Sequence, residues 1–333
     1  MRVLIVGVGS IGERHLRAFQ AVGMTDLAIA DVDSRLRAMV AARYRIGDAF
    51  ATLDDAMSWR PDAAVIATPA HTHIELANRL ADNGIHLLIE KPLSTTLNGV
   101  DRLSETARNK RLVVSVGYVY RFHPCLSAMR GAVVAGKFGT PVQLVAVAGQ
   151  HFPTFRPAYR EIYYADLSTG GGATQDALTH LIDAGQWLVG PIDRLVADAA
   201  HLVLDGVAVD DTVQVLARHG RVLACYNLNQ HQAPNELTIT LHGDRGTARW
   251  EFHSHRWSWM TSPGGPWHEE ASAAMERDWM FVAQARAFLN AIERATPSDC
   301  TLEEAVQTQR VILACRESVA TQTWRQVARD TAS

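Results

Sequence analysis

The chain has 333 residues, 47% hydrophobic and 20% charged, enough for two domains with sizeable cores. Thirty-two Lys plus Arg stand against 35 Asp plus Glu, a net charge of −3, which excludes a surface built to neutralise many phosphates and with it nucleic acid as the main partner. The apolar runs are strand-length, short of the roughly 20 residues a membrane helix needs, so no membrane partner is expected. No secretory signal precedes the first strand, and the four cysteines (Cys125, Cys225, Cys300, Cys315) are scattered with no C-x-x-C pair. These features point to the cytoplasm and give no zinc site.

The first third alternates apolar runs with amphipathic stretches. Strands are expected at Val3–Val6 and at 27–30, 63–67, 85–89 and 112–116, with helices at 11–22, 72–83 and 97–109. Continuous apolar strands separated by helices indicate a doubly wound parallel sheet covered on both faces, placed in a domain spanning residues 1–120. The pattern then changes. A helix at 125–135, a strand at 142–148, a loop over 151–170 and a helix at 173–188 lead into serial strands at 194–204, 212–218, 222–228, 236–242 and 246–252. Helices at 276–294 and 302–319 close the chain. Strands in series divided by turns such as His219-Gly220 and Gly243-Asp244 favour a large, mostly antiparallel open sheet. Residues 121–333 are therefore read as an α+β domain for substrate binding and oligomerisation. The uncovered face of its sheet needs a cover as well, which points to a homo-oligomer formed through the sheet.

Gly7-Val8-Gly9-Ser10-Ile11-Gly12 matches G-x-G-x-x-G, following a strand and opening a helix. Gly7 permits the tight turn, Gly9 lets backbone approach a pyrophosphate, and Gly12 allows close helix packing. Ser10 and Ile11 lie at the helix start, whose free N–H groups face the phosphates. Asp31, at the end of the next strand, suits a ribose 2′-hydroxyl and repels a 2′-phosphate, favouring NAD over NADP, although Arg35 stands close by.

Glu90-Lys91-Pro92 ends a strand, where ligands of such sheets bind. Lys91 there can stabilise an oxygen that becomes negative; taken alone it reads more simply as a surface lysine. Asp176 and His180, four apart on an otherwise apolar helix, share a face. They can act as a carboxylate–imidazole couple in proton transfer, or as a histidine satisfied by an acid one turn away. His71 and His73 leave their helix in different directions, and no metal is expected. His253, His255, Trp257 and Trp259 are read as one stripe of a strand, a packed aromatic face or an interface rather than a ligand site.

The fingerprint, Thr68-Pro69 with His73, Glu90-Lys91-Pro92, Gly117-Tyr118 through Arg121-Phe122, and Gly170-Gly171-Gly172 with Asp176 and His180 come in an order that resembles the Gfo/Idh/MocA oxidoreductases. The resemblance covers essentially the whole chain. It implies a Rossmann domain followed by an α+β domain, and Lys91, Asp176 and His180 as the catalytic set. It also implies a cis peptide before Pro92, Thr68, Pro69 and His73 along the nicotinamide half of NAD, and Glu90 and Lys91 among the cofactor-binding residues. The activity implied is hydride transfer between nicotinamide and a secondary alcohol or ketone of a sugar, cyclitol or sugar derivative. Two alternatives remain: transient use of NAD without net redox (hydrolysis, elimination, epimerisation), and a sugar- or NAD-sensing regulator. Val119 and Leu181 stand where relatives commonly carry Asn and Glu. Tyr120, Arg121, Arg156, Tyr159, Arg160 and Tyr163 are candidate substrate contacts; the last four, in the 151–170 loop, equally suit a brace or a subunit contact.

Overall fold

A computed structural model describes residues 1–273 and 275–328. The chain divides into two compact units, residues 1–119 with 276–306 and residues 120–275 with 307–333.

The first unit is built on six parallel strands, β1 (Val3–Val6), β2 (Leu27–Ala30), β3 (Asp48–Phe50), β4 (Ala63–Ile66), β5 (His86–Ile89) and β6 (Val114–Val116), in the order β3-β2-β1-β4-β5-β6. This is the doubly wound order, whose switch point lies between β1 and β4. The three strands β1, β2 and β4 are buried at every position, as the uninterrupted apolar sequence requires. The helix Ser34–Tyr44 and strand β3 were not anticipated. That helix buries only Val40 and so carries no apolar stripe; its start is fixed instead by the Asp33 carboxylate, which accepts from the N–H groups of Arg35 and Leu36.

The expected contiguous second domain, 121–333, differs from the observed division at residues 276–306. The helix Trp279–Arg294 packs on the helix Ser10–Ala21 within the first unit. Phe288 meets Phe19 edge to face, with ring centroids 6.4 Å apart, and Phe281 meets His15 at 5.2 Å. Asp278 takes the guanidinium of Arg17 at 2.7 Å and that of Arg14 at 3.1 Å. The apolar face of this late helix is packed on the helix Ser10–Ala21, a pairing that hydrophobic spacing alone could not reveal.

The second unit carries nine strands: β7 (Pro141–Gly149), β8 (Arg194–Ala200), β9 (Thr212–His219), β10 (Val222–Asn229), β11 (Glu236–Gly243), β12 (Gly246–Glu251), β13 (Arg256–Met260), β14 (His268–Ala271) and β15 (Arg325–Gln326). Their order is β14-β13-β12-β11-β7-β10-β9-β8-β15, antiparallel except where β7 meets β10. One face packs Leu144, Ala146, Tyr226 and Ile239 against helices Pro124–Val134 and Leu178–Val189 and against Val311, Ile312 and Cys315. On the other face Leu216 and Leu223 remain half exposed, at 56% and 50%. The strand stripe expected to include His253 and His255 is not formed. Residues 252–255 make a turn, with His255 at a φ of 47°, and only Trp257 and Trp259 lie on β13, where their rings stack at 4.4 Å. No helix among the described residues is long and apolar enough to cross a membrane.

Two tests follow. Phe288→Ala removes a buried ring that ties the late helix to the first unit, and is expected to cost about 3–5 kcal/mol in urea denaturation. The His219 imidazole is buried between the Gly190 carbonyl and the Tyr226 hydroxyl, and burial lowers its pKa to about 4. Its folded-state pKa lies below the unfolded value of about 6.5, so its stabilising contribution is complete above pH ~6.5 and is lost as pH falls toward 4. The stability of His219→Gln is expected to fall less steeply across that window than that of the parent chain.

Candidate active site

In the first unit the chain leaves β1 through Gly7, whose φ of 83° and close approach to Ala67 and Thr68 leave no room for a side chain. A Cβ at Gly12 would run into the Gly7 carbonyl, whereas one at Gly9 would stand in open space. These three environments match the three glycine roles of a pyrophosphate loop. Gly9 caps the helix Ser10–Ala21 without any side-chain acceptor, and Ser10 and Gly9 are exposed. The amides at this helix start therefore point to a solvent-facing ledge suited to an anion. Asp31 sits beside it. Its carboxylate accepts from the Val8 N–H at 2.8 Å and the Asp33 N–H at 2.9 Å, which fixes it at the carboxyl end of β2. Arg35, the residue that could soften its preference for a ribose, lies in the first turn of the next helix and is exposed. These residues fit an NAD adenosine-diphosphate half.

At the ends of β4 and β5 two loops are tied together. His73, at 1% exposure, sets Nε2 2.8 Å from the Thr68 carbonyl and Nδ1 3.0 Å from the Pro92 carbonyl. Burial lowers its pKa, partly opposed by those carbonyls and by the charge of Glu90. Thr68 and Thr72 share a 2.7 Å hydroxyl hydrogen bond, while Pro69 faces solvent. The Lys91–Pro92 peptide is cis. Glu90 turns its carboxylate inward: Oε1 lies 2.6 Å from His15 Nε2, and Oε2 accepts from the Lys91 N–H at 3.0 Å. Burial alone would raise the pKa of this carboxyl; the His15 hydrogen bond and the neighbouring charges of His15 and Lys91 outweigh it and hold the value below the usual range.

In the second unit the Gly170–Gly172 run leads not into a regular α-helix but into one π-helical turn, Ala173–Ala177, continued by the α-helix Leu178–Val189. Such wide turns concentrate at functional sites. Asp210 builds this one. It accepts from the Thr174 N–H at 2.7 Å and the Thr174 hydroxyl at 2.6 Å, and its own carbonyl accepts from Ala173. Asp176 lies in the π turn, 7% exposed, and accepts from the Tyr163 hydroxyl at 2.8 Å. His180 follows in the α-helix, half buried, with the Tyr120 ring stacked on it at 4.6 Å. Burial pushes the Tyr120 phenol up to about 12, with Arg156 pulling down and Asp176 adding to the rise. The structure thus brings Asp176, His180, Tyr120 and Tyr163 together.

Other candidates are placed elsewhere. Arg121 is 5% exposed and grips Asp183, at 3.0 Å from Nε and 2.6 Å from Nη2, as a buried fork below His180 on the same helix. Tyr159 is buried with Phe152 and Tyr164 and donates to the Asp205 carbonyl, to which Arg160 also donates. These two brace the 151–170 segment, which is a string of short helical turns around that aromatic cluster rather than an open loop. Arg156 is exposed on that segment. His15, Asp183 and Asp210 escaped the sequence reading. Asp183 carried a usable signal, three residues after His180 and seven after Asp176 on one helical face. The other two act through partners remote in sequence. Among the described residues no three His, Cys, Asp or Glu side chains are placed to hold a metal ion.

A family model described as an oxidoreductase family with an NAD-binding Rossmann fold matches residues 1–118, and the GFO/IDH/MocA C-terminal domain matches residues 126–249. UDP-N-acetylglucosamine 3-dehydrogenase of Acidithiobacillus ferrooxidans is 27% identical over 330 residues, covering 94% of this chain and 95% of that protein. Inositol 2-dehydrogenase 1 of Saccharopolyspora erythraea is 31% identical over 251 residues, covering 68% of this chain and 70% of its own length. Levoglucosan dehydrogenase in complex with NADH and levoglucosan has the same fold, with a TM-score of 0.90 at 20% identity over 99% of this chain and all of the other.

Breaking the buried Arg121–Asp183 fork strands a charge, so Arg121→Ala is expected to lose roughly 3–5 kcal/mol of stability in denaturant titration. A variant of unchanged stability would return Arg121 to the substrate contacts.

Proposed function

Since the chain belongs to the Gfo/Idh/MocA oxidoreductases and is an NAD-dependent dehydrogenase acting on CH–OH groups, we propose that its substrate is a sugar, cyclitol or sugar derivative. A secondary alcohol of that substrate is oxidised to the ketone, or the reverse. The observation that carries this reading is the π turn that presents Asp176 beside His180 under the Tyr120 ring.

The proposed catalytic set is Lys91, Asp176 and His180. His180 takes the hydroxyl proton, and its stacking on Tyr120 restricts the ring's rotation. Asp176, oriented by the Tyr163 phenol, accepts a hydrogen bond from a substrate hydroxyl. Lys91 stabilises charge developing on the reacting oxygen. Thr68, Pro69 and His73 line the nicotinamide half of the cofactor, and Gly7, Gly9, Ser10, Ile11, Gly12 and Asp31 its phosphates and ribose. NAD, when bound there, accepts or returns the hydride. Tyr120, Tyr163 and Arg156 are the substrate contacts this reading retains. The half-exposed Leu216 and Leu223 on the open face of the nine-stranded sheet, with Trp324 at 51% exposure, support a homodimer or homotetramer through that face. Four free cysteines fit a reducing compartment such as the cytoplasm.

The test is a panel of inositols, aldoses, anhydrosugars and nucleotide sugars, followed by NADH absorbance with NADP run alongside. Accumulation of NADH with one of these classes is expected; product formation with no free NADH would mean that the redox cycle closes internally. His180→Ala and Lys91→Ala are each expected to lower kcat about 10²–10⁴-fold while NADH fluorescence titration shows binding retained. An unchanged kcat at saturating substrate would remove that residue from the set.

A further inference from the structure

The π turn that carries Asp176 has no cap of its own. Gly172 precedes it without a side-chain acceptor, and Gln175 directs its amide nitrogen to the Leu167 and Gly171 carbonyls, at 2.9 and 3.3 Å. The amides that open a helical stretch must still be met. Asp210, 36 residues after Thr174, meets them. Its carbonyl takes the Ala173 N–H at 2.7 Å, and one carboxylate oxygen takes the Thr174 N–H at 2.7 Å and the Thr174 hydroxyl at 2.6 Å. Thr174 is buried, so loss of that oxygen would leave two buried donors unmet. The turn is closed by the Leu178 N–H on the Ala173 carbonyl, one residue wider than an α-turn. Reversion to an α-turn would rotate Asp176 about the helix axis relative to His180.

Asp210 lies in the connection from β8 to β9, residues 201–211, which is closed on itself. The fully buried Asp211 carboxylate accepts from the N–H groups of Leu202, Val203 and Leu204 and from the Thr212 hydroxyl. The same connection grips the 151–170 segment. The Asp205 carbonyl takes the Tyr159 hydroxyl and the Arg160 Nε–H, each at 2.8 Å. Leu204 and Val209 pack with Phe152, Tyr159 and Tyr164 in one buried cluster. That segment presents Tyr163, whose hydroxyl donates to Asp176 at 2.8 Å and whose carbonyl accepts from the Thr169 hydroxyl at 2.7 Å. Both supports of Asp176, the backbone that carries it and the phenol that meets it, therefore depend on residues 201–211.

We propose that the β8–β9 connection is the positioning element for Asp176 and that Asp210 is its acting residue, aiming the Asp176 carboxylate at a substrate hydroxyl without touching the substrate itself. The aim matters for catalysis through the role given to Asp176 above; the mechanical link between Asp210 and Asp176 does not rest on that role.

The link is read on Asp176 itself. The protein is labelled with ¹³C at the aspartate carboxyl carbons, and the Asp176 resonance, assigned by its disappearance in Asp176→Asn, is followed at pH 8. Tyr163→Phe removes the phenol donor and gives the reference shift for a carboxylate that has lost it. In Asp210→Ala the resonance is expected to move at least about halfway to that reference. In Asp210→Asn, which keeps an oxygen able to accept from Thr174, it is expected to stay near the parent position. A resonance unmoved in Asp210→Ala overturns the proposal, as does an equal movement in both variants, which would mark loss of charge rather than loss of the acceptor. Should Asp210→Ala not fold, Thr174→Val takes its place: it deletes one of the two donors on the Asp210 carboxylate, and movement toward the reference is expected, no movement overturning the proposal. Tyr159→Phe keeps the buried ring and removes only its bond to Asp205; the same direction of movement is expected, and none would overturn the arm that runs through the 151–170 segment. Activity gives an independent reading. With a panel member that yields NADH, Asp210→Ala is expected to lower kcat/KM by about tenfold or more, but by less than about twofold in an Asp176→Asn background, where nothing is left to position. Additive losses overturn the proposal. The NMR criterion needs no turnover, so a silent substrate panel and a failed Asp210 prediction are separate results.

Discussion

A carboxylate taken out of water must be met by donors or it will not stay charged. That constraint shapes every functional loop of this chain. Asp31 is met by the N–H groups of Val8 and Asp33, Glu90 by His15 and the Lys91 N–H, and Asp176 by Tyr163. Asp183 is met by Arg121 and Asp210 by Thr174. Each acid has at least one partner from another segment of the chain. Satisfying the acid fixes where the two segments lie. These paired acids, buried at Glu90, Asp176 and Asp183 and partly exposed at Asp31 and Asp210, tie the loops together beside the apolar cores.

The π turn shows the consequence. Two residues four apart on an α-helix would share a face in any case, but widening one turn shifts Asp176 relative to His180 and opens the helix start to Asp210. The Asp210 carboxylate lies against Gly172, where a Cβ would collide with it, so the glycine run is needed for that approach and not only for its φ of 87°. Behind the helix, Tyr120 links the imidazole to Trp250 and Phe252, with ring centroids 5.8 and 5.3 Å away. The His180 ring, proposed above as the proton acceptor, thus stacks on the edge of an aromatic cluster.

Fold class was legible in the sequence wherever apolar residues were continuous or alternated. The run Val3–Val6 and the period of two along β9 and β10 each identify a strand and the number of its buried faces. The helix Ser34–Tyr44 was not legible, because a helix burying one residue has no periodic stripe. Nor was the membership of Trp279–Arg294 in the first unit, since its apolar face would suit either core. His253 and His255 were misplaced because a turn with φ of 47° at His255 interrupts an otherwise strand-like composition. At the site, residue types and spacing pick out the glycine loop and place Asp176 and His180 on one face, whereas Lys91 becomes a candidate through the order of motifs that resembles the family. What they left out were the acids and bases that act across long sequence separations: Asp210, 36 residues from Thr174, and His15, 75 residues from Glu90. No local pattern encodes such a pair.

The measurement closest to the central claim is the fate of one hydrogen. A substrate from the reactive class, deuterated at the carbinol carbon, is incubated with enzyme and NAD, and the recovered cofactor is analysed by proton NMR and mass spectrometry. Deuterium at C4 of the reduced nicotinamide, from one face of the ring, is the result this account predicts. Product carrying a ketone with no label in the cofactor would contradict it.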